Sequence, residues 1–369
     1  MPFKKLGSIA LSLFLFGSVH VQASATSAGF STIADETQAR ADVTAEARQA
    51  WNNNDFNTLD TLAEKYGTSK AKTPSGKWKL AVFDDTLSTQ LRIDWPDSWN
   101  VPEAAGRPQC KCNAPLPDKY QVADYRWELV HQKILSWIKQ NPSSTYSQIA
   151  LAHYLKNRGW FYRGNGFTDS VPDVAWPIFR TYVHQASLTL EQIKWKGKPN
   201  PVWFSSMADI AISDQYPKDK SQQLLKRLNK EGSSYPTAYL LTSRNLLPKW
   251  GGTYEAFDQF ARAAMKQNDG RLEKEMYVRI YWNVAAEIGN IFSVGKADWP
   301  TVKQGFDEIL AKYPSYKNLN GKAMFACQAN DATTYRDTMK LLGDQLDPMS
   351  WGENYSWCKS AMSLERLSQ

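Results

Sequence analysis

Few residues in this chain are of types that do chemistry, and their spacing limits what that chemistry is. There are four His and four Cys in 369 residues. Glu128 and His131 form an E-x-x-H step on one helical face, half of the ligand set of carboxylate-bridged di-iron bundles. Such a centre needs a second copy and two further Glu on facing helices, and the sequence has no second E-x-x-H. His131, His153 and His184 form no H-E-x-x-H pair, so zinc hydrolysis is not indicated. S-x-x-K occurs at Ser69–Lys72, Ser136–Lys139 and Ser293–Lys296, without the S-D-N and K-T-G partners of penicillin-recognising enzymes. With no G-x-S-x-G elbow and no P-loop either, no catalytic set, metal site or cofactor is assigned.

Binding is better represented. Arg163 and Asp169 bracket a loop with two Gly, and Trp160 and Trp176 flank it. One reading is a helix-to-helix turn in which the Arg pairs with an Asp or caps carbonyls. The other is a binding loop in which Arg163 meets an anionic group between the two Trp. Pro248-Lys249-Trp250-Gly251-Gly252 reads first as an inter-helix joint, with Trp250 a further aromatic candidate. Arg279 and Glu287 interrupt an apolar helical pattern and either organise packing or line a groove. The ligand-binding candidates are therefore Trp160, Arg163, Asp169, Trp176, Trp250 and Arg279. With 15 Trp, 17 Tyr and 15 Phe in the chain, most aromatics must serve the core instead.

The elements that carry these residues are read from periodicity. Trp127, Val130, Ile134, Trp137 and Ile138 recur at three- and four-residue intervals, a single apolar stripe. Phe257 to Met265, Tyr277 to Ile291 and Val302 to Tyr313 repeat the pattern, separated by Pro, Gly and Asn punctuation. Ser143-Ser144-Thr145 is placed to cap a helix after Pro142. Two more helices are predicted over Glu36–Ala50 and Asp55–Tyr66. Residues 67–122 are Pro-rich, and within them Trp78 to Phe83 alternates like a strand; a lone strand has no partner, so a helix is expected there. The fold class is all-α, an irregular tetratricopeptide-like α–α solenoid. Its expected division is a signal peptide (1–25), an amino-terminal helical and Pro-rich region (26–122) and a helical-repeat domain (123–369).

Residues 1–25 have the zones of a cleavable export signal. Lys4 and Lys5 are followed by an uncharged apolar stretch from Leu6 to Val19, then Val21-Gln22-Ala23 and Ala23-Ser24-Ala25, both fitting the cleavage rule. The stretch is shorter than the ~20 apolar residues that span a bilayer. No Cys follows it to take a lipid, and no long apolar run comes later, so no stable membrane insertion is expected after cleavage. The compartment predicted is the periplasm, or the medium. Cleavage lowers the formal charge from +7 to +5 by removing two Lys, and the densest basic stretch, 194–230, is diluted by acids. That distribution argues against nucleic acid as a partner.

In an oxidising compartment the four Cys allow three pairings. The economical one is Cys110–Cys112 plus Cys327–Cys358; a long-range bridge from Cys110 to the carboxy-terminal part stays open. As a metal set the four are poor, because C-x-C has no matching second pair and no nearby His.

Several strings resemble a bacterial family catalogued as domain of unknown function 4034. They are Ser75-Gly76-Lys77-Trp78-Lys79-Leu80, Trp160 to Gly166 followed by Val171 and Trp176, Tyr235-Pro236 with Leu246-Leu247-Pro248-Lys249-Trp250-Gly251-Gly252, and Phe325-Ala326-Cys327 with Asp331. The resemblance runs over roughly 72–342 and implies a helical, tetratricopeptide-like fold without implying a reaction. The expectation is a protein- or peptide-binding module of the cell envelope. The alternative is an envelope glycan (peptidoglycan) binder or a glycan-acting enzyme.

Overall fold

The computed structural model describes residues 29–93, 119–164, 166, 168–195, 199–231, 235–265 and 273–362. The leading segment 1–25 and the Cys110-Lys-Cys112 loop lie outside these residues.

The first two helices each start where a side chain satisfies a free amide. Thr32 caps α1 (Ile33–Asn52): its hydroxyl accepts from the Asp35 amide at 3.0 Å, while the Asp35 carboxylate accepts from the Thr32 amide at 2.7 Å. Asp55 caps α2 (Phe56–Ser69) at 3.0 Å, and Lys70 ends it in the left-handed region at φ 52°. The run from Trp78 to Phe83 is helical, as α3 (Lys79–Gln90) starting just after Trp78. Among the described residues there is no strand, only two isolated bridges.

The longer array follows as α4 (Lys119–Gln140), α5 (Thr145–Arg163), α6 (Ala175–Glu191), α7 (Pro201–Ser213), α8 (Lys218–Glu231) and α9 (Pro236–Arg244). Then come α10 (Tyr254–Met265), α11 (Glu273–Ile288), α12 (Trp299–Lys312), α13 (Tyr316–Gln328), α14 (Ala332–Leu342), α15 (Pro348–Trp351) and α16 (Asn354–Ala361). Ser144 is the cap of α5, accepting from the Ser147 amide at 3.0 Å. The predicted stripes face inward: Trp127, Ile134 and Trp137 of α4 are fully buried, as are Tyr277, Ile280, Tyr281 and Val284 of α11. No described helix is long and apolar enough to cross a membrane.

Neighbour-on-neighbour packing joins α5 to α6, α11 to α12 and α13 to α14, as helix pairs in an array do. The chain also does something an open stack does not. The Ser31 amide donates to the Pro314 carbonyl at 3.0 Å, and the Tyr316 amide donates to the Ser31 carbonyl at 2.9 Å. Phe30 lies against Tyr316, and α1 touches α13. The amino-terminal helices are thus fastened to the carboxy-terminal ones, and one apolar cluster runs from Val43 to Met362.

Cys327 and Cys358 form a disulfide with Cα atoms 5.9 Å apart, tying α16 to α13. Asp60 of α2 performs a similar joining role without a covalent bond. It accepts from Trp137 Nε1 at 3.2 Å, Asn141 Nδ2 at 2.6 Å and Ser144 Oγ at 2.5 Å.

Candidate functional site

Four of the six ligand-binding candidates meet in one place. Trp160 and Arg163 stand at the end of α5, Trp176 at the start of α6, and Trp250 in the single 3-10 turn Pro248–Trp250 that follows α9. Together with the end of α7 they wall a cleft of about 520 Å³. Asp169 does not join them: it is exposed on the turn before α6 and does not line the cleft. Arg279 lies in a different cavity.

The turn that holds Trp250 explains its own glycines. Gly251 has φ +85°, where a side chain is strained, and a Cβ on Gly252 would lie 2.0 Å from the Leu246 carbonyl oxygen. The joint expected at this string is real, and its tryptophan is presented to the cleft, 38% exposed.

Arg163 does not meet Asp169. Its Nη1 donates to the carbonyls of Gly164 at 3.0 Å and Gly166 at 2.9 Å, satisfying oxygens at the end of α5. Its guanidinium is stacked between two rings, 5.0 Å from the Trp160 centroid and 5.3 Å from that of Trp176. Burial holds the Arg163 pKa below the ordinary guanidinium value, and the group still stays charged near neutrality. The arginine therefore serves as a spacer that fixes two tryptophans, and its capping role is the one the turn reading described. Trp160 is further fixed by donating from Nε1 to Ser213 Oγ at 3.0 Å.

Besides the apolar Phe179, Ala211 and Ile212, the rest of the lining is polar and, apart from Lys249, uncharged. Ser213, Gln215, Tyr216 and Ser221 supply hydroxyl and amide groups. Lys249 is ion-paired at 2.5 Å with Glu287, which also holds Arg244 at 2.6 Å. Glu287 thus anchors the Trp250 turn to α11. Asn245 donates to the Ala208 carbonyl at 3.1 Å, and its Oδ1 is buried without a hydrogen-bond partner beside the cleft. No carboxylate lines the cleft among the described residues.

A second chemically suggestive group is buried between α3, α5 and α7. His153 Nε2 lies 2.8 Å from Ser206 Oγ and 3.8 Å from Asp84 Oδ1. The composition is that of a nucleophilic triad, but the geometry is not. The carboxylate approaches the same ring nitrogen as the serine, whereas a triad needs it on the opposite one. Nδ1 instead faces Ser88 Oγ at 3.4 Å, and Ser206, 2% exposed, hydrogen-bonds to the Val202 carbonyl. Tyr146 donates to Asp84 Oδ1 at 2.8 Å. Burial, then the nearby Asp85, pushes Asp84 up to about 7; burial, then Lys156, pushes His153 down to about 4. Both groups are displaced toward neutrality, as packing in a dry interior requires. Glu128 and His131 stand 3.7 Å apart on α4, with the His131 ring stacked on Tyr154.

Sequence reasoning passed over Asp60, Asp84 and Tyr216, because nothing local distinguishes a joining carboxylate or a cleft hydroxyl from a surface one. Comparison of the chain with family models, curated proteins and solved structures finds no match.

Proposed function

We propose that this chain is an exported binding protein of the cell envelope, periplasmic or released, whose tryptophan-walled cleft receives a segment of a protein or peptide. The observation that carries the reading is the convergence of Trp160, Trp176 and Trp250 from three separate segments on one open cleft. Large aromatic faces supply contact area at low entropic cost, and a few fixed polar groups orient what lies on them. An apolar side chain of the partner rests on the tryptophans. Its backbone meets the hydroxyl and amide groups of Ser213, Gln215 and Tyr216, and the free Asn245 Oδ1 accepts a peptide N–H. The Lys4, Lys5 and Leu6–Val19 pattern supports export, and membership of the domain of unknown function 4034 family remains part of the same proposal.

The glycan alternative rests on the same aromatic faces, which suit sugar rings as well. Glycoside hydrolysis takes two carboxylates roughly 5–9 Å apart, which the described lining of the cleft does not supply, so this alternative is one of glycan binding. Affinity capture from envelope extract, run beside a pull-down on peptidoglycan sacculi, separates the two. The expected result is a discrete protein or peptide partner retained by the wild type. A Trp176→Ala/Trp250→Ala variant should lose at least tenfold of that retention while keeping its helical circular dichroism. Retention on sacculi with no protein partner overturns the proposal in favour of the glycan.

A further inference from the structure

We propose that a second cavity, lined by α1, the 73–78 loop, α9, α11 and α13 and open to solvent, is a binding site for a small organic oxyanion, a carboxylate or phosphate on a body of monosaccharide or amino-acid size. It measures about 270 Å³, the small end of ligand sites, which run roughly 300–1,000 Å³. The proposal does not depend on the reading of the tryptophan cleft.

Four cations from four separate elements line this cavity: Arg40, Lys77, Arg279 and Lys317. No carboxylate among the described residues does. Their acidic partners stand behind them. Glu36 holds Arg40 at 2.6 Å, Glu275 holds Arg279 at 2.6 Å, Asp85 holds Lys77 at 2.7 Å, and Asp347 reaches Lys317 only at 3.9 Å. Those four pairs neutralise one another in number. Lys72 and Lys312, both over the Tyr313 ring, add positive charge and form no ion pair among the described residues. Lys317 is half-buried, and burial first and Arg40 among the nearby charges lower its hold on its proton. An anion in the cavity offsets both by favouring the charged ammonium.

The backbone adds to the field. Pro236 and Thr237, in the first turn of α9, form part of the wall, and α9 begins without a side-chain cap. Pro236 has no N–H to offer, so this end contributes only the partial positive charge of the helix dipole.

Two buried polar atoms of lining residues have no partner. Trp78 Nε1 is a donor and Asn318 Oδ1 an acceptor, on residues 3% and 1% exposed. Buried polar groups in folded proteins are nearly always paired, so this wall calls for an occupant with both kinds of atom. A hydroxylated anion has them. The Trp282 ring, against which a Cβ at Gly321 would lie 2.3 Å away, and Leu240 provide an apolar side for the body of the guest.

The wall is built in advance. The Glu36 carboxylate accepts from the Ser75 amide at 2.8 Å, Ser75 Oγ at 2.9 Å and Thr73 Oγ1 at 3.0 Å, so the 73–78 loop is pinned to α1. Gly76, at φ +88°, lets the loop close on Arg279; a Cβ there would lie 2.5 Å from Nη2. Arg279 in turn donates to the Ser75 carbonyl at 3.2 Å.

The test is calorimetric titration of the whole chain with inorganic phosphate, glucose 6-phosphate and gluconate, with glucose as the neutral control. Saturable binding of at least one anion, with none of glucose, is expected. Glucose 6-phosphate alone assigns the phosphate ester, gluconate alone the carboxylate. Lys317→Gln and Lys77→Gln, the latter a half-exposed residue whose loss spares the core, should each weaken binding at least tenfold. Trp250→Ala should leave it unchanged. The proposal falls if no anion binds saturably, if glucose binds as well as the anions, or if neither Lys variant weakens binding.

Discussion

Replacing Asp84 by Asn is expected to change how stability depends on pH, because this carboxyl is buried beside His153 and titrates far from its ordinary range. Its pKa is raised from 3.8 to about 7, that of His153 lowered from 6.5 to about 4. Above pH 4 unfolded Asp84 is ionised while the folded group keeps its proton until about pH 7. The native state thus binds one more proton, and stability falls by about 1.4 kcal/mol per pH unit. His153 does the reverse: between about pH 4 and 6.5 it is charged only when unfolded, so its contribution rises at the same rate. In the wild type the two slopes offset each other over that window. Asn keeps an oxygen for the Tyr146 hydroxyl, which Asp84 accepts at 2.8 Å, and cannot ionise. The stability difference between D84N and wild type should therefore climb in favour of the variant from pH 4 to pH 7, by on the order of 4 kcal/mol in total. Urea denaturation followed by far-ultraviolet circular dichroism at half-unit steps from pH 4 to 8 measures it. A difference that does not vary with pH, or that climbs in favour of the wild type, refutes the reasoning.

Two further substitutions address the joints of the array. Cys358→Ala opens a loop with a sequence separation of 31 residues; the chain-entropy relation predicts a loss of about 3.7 kcal/mol. A reductant should then lower the urea midpoint of the wild type but leave that of the variant unmoved. Asp60→Ala leaves Trp137 Nε1, Asn141 and Ser144 without their shared acceptor, for a loss of about 3 kcal/mol, whereas Ser144→Ala alone should cost about 1 kcal/mol as a lost cap. Chemical denaturation checks the ranking.

What could be read in advance followed the range of the interaction. Helix positions depend on neighbours three or four residues away, so the α4 and α11 stripes and the Ser144 cap were visible in the sequence. The helix after Trp78 was legible by elimination, since an alternating run without a partner cannot form a sheet. Cys327 and Cys358 pair as economy suggested. Trp160, Trp176 and Trp250 flank helix ends, and the packing of α5, α6, α7 and the turn after α9 brings those ends to one cleft. Asp169 stands apart from the cleft, and in sequence a charge at a turn is indistinguishable from a charge in a site. The second cavity was illegible for a different reason. Arg279 meets the Ser75 carbonyl 204 positions away and Asn318 meets it 243 positions away, and no local pattern encodes such distances. Gly76 is the local trace of that approach, since a side chain there would meet Arg279.

The fastening of Ser31 to the turn ahead of α13 bears on how such a chain can vary in length. In an open array an end repeat can be shaved off or duplicated while the remainder keeps its neighbours. Here removing the first helix would strip the 73–78 loop of the Glu36 oxygens that hold it and uncover the α13 surface it covers. Insertions inside turns leave both of these contacts in place, so they are the variation that this fastening tolerates best.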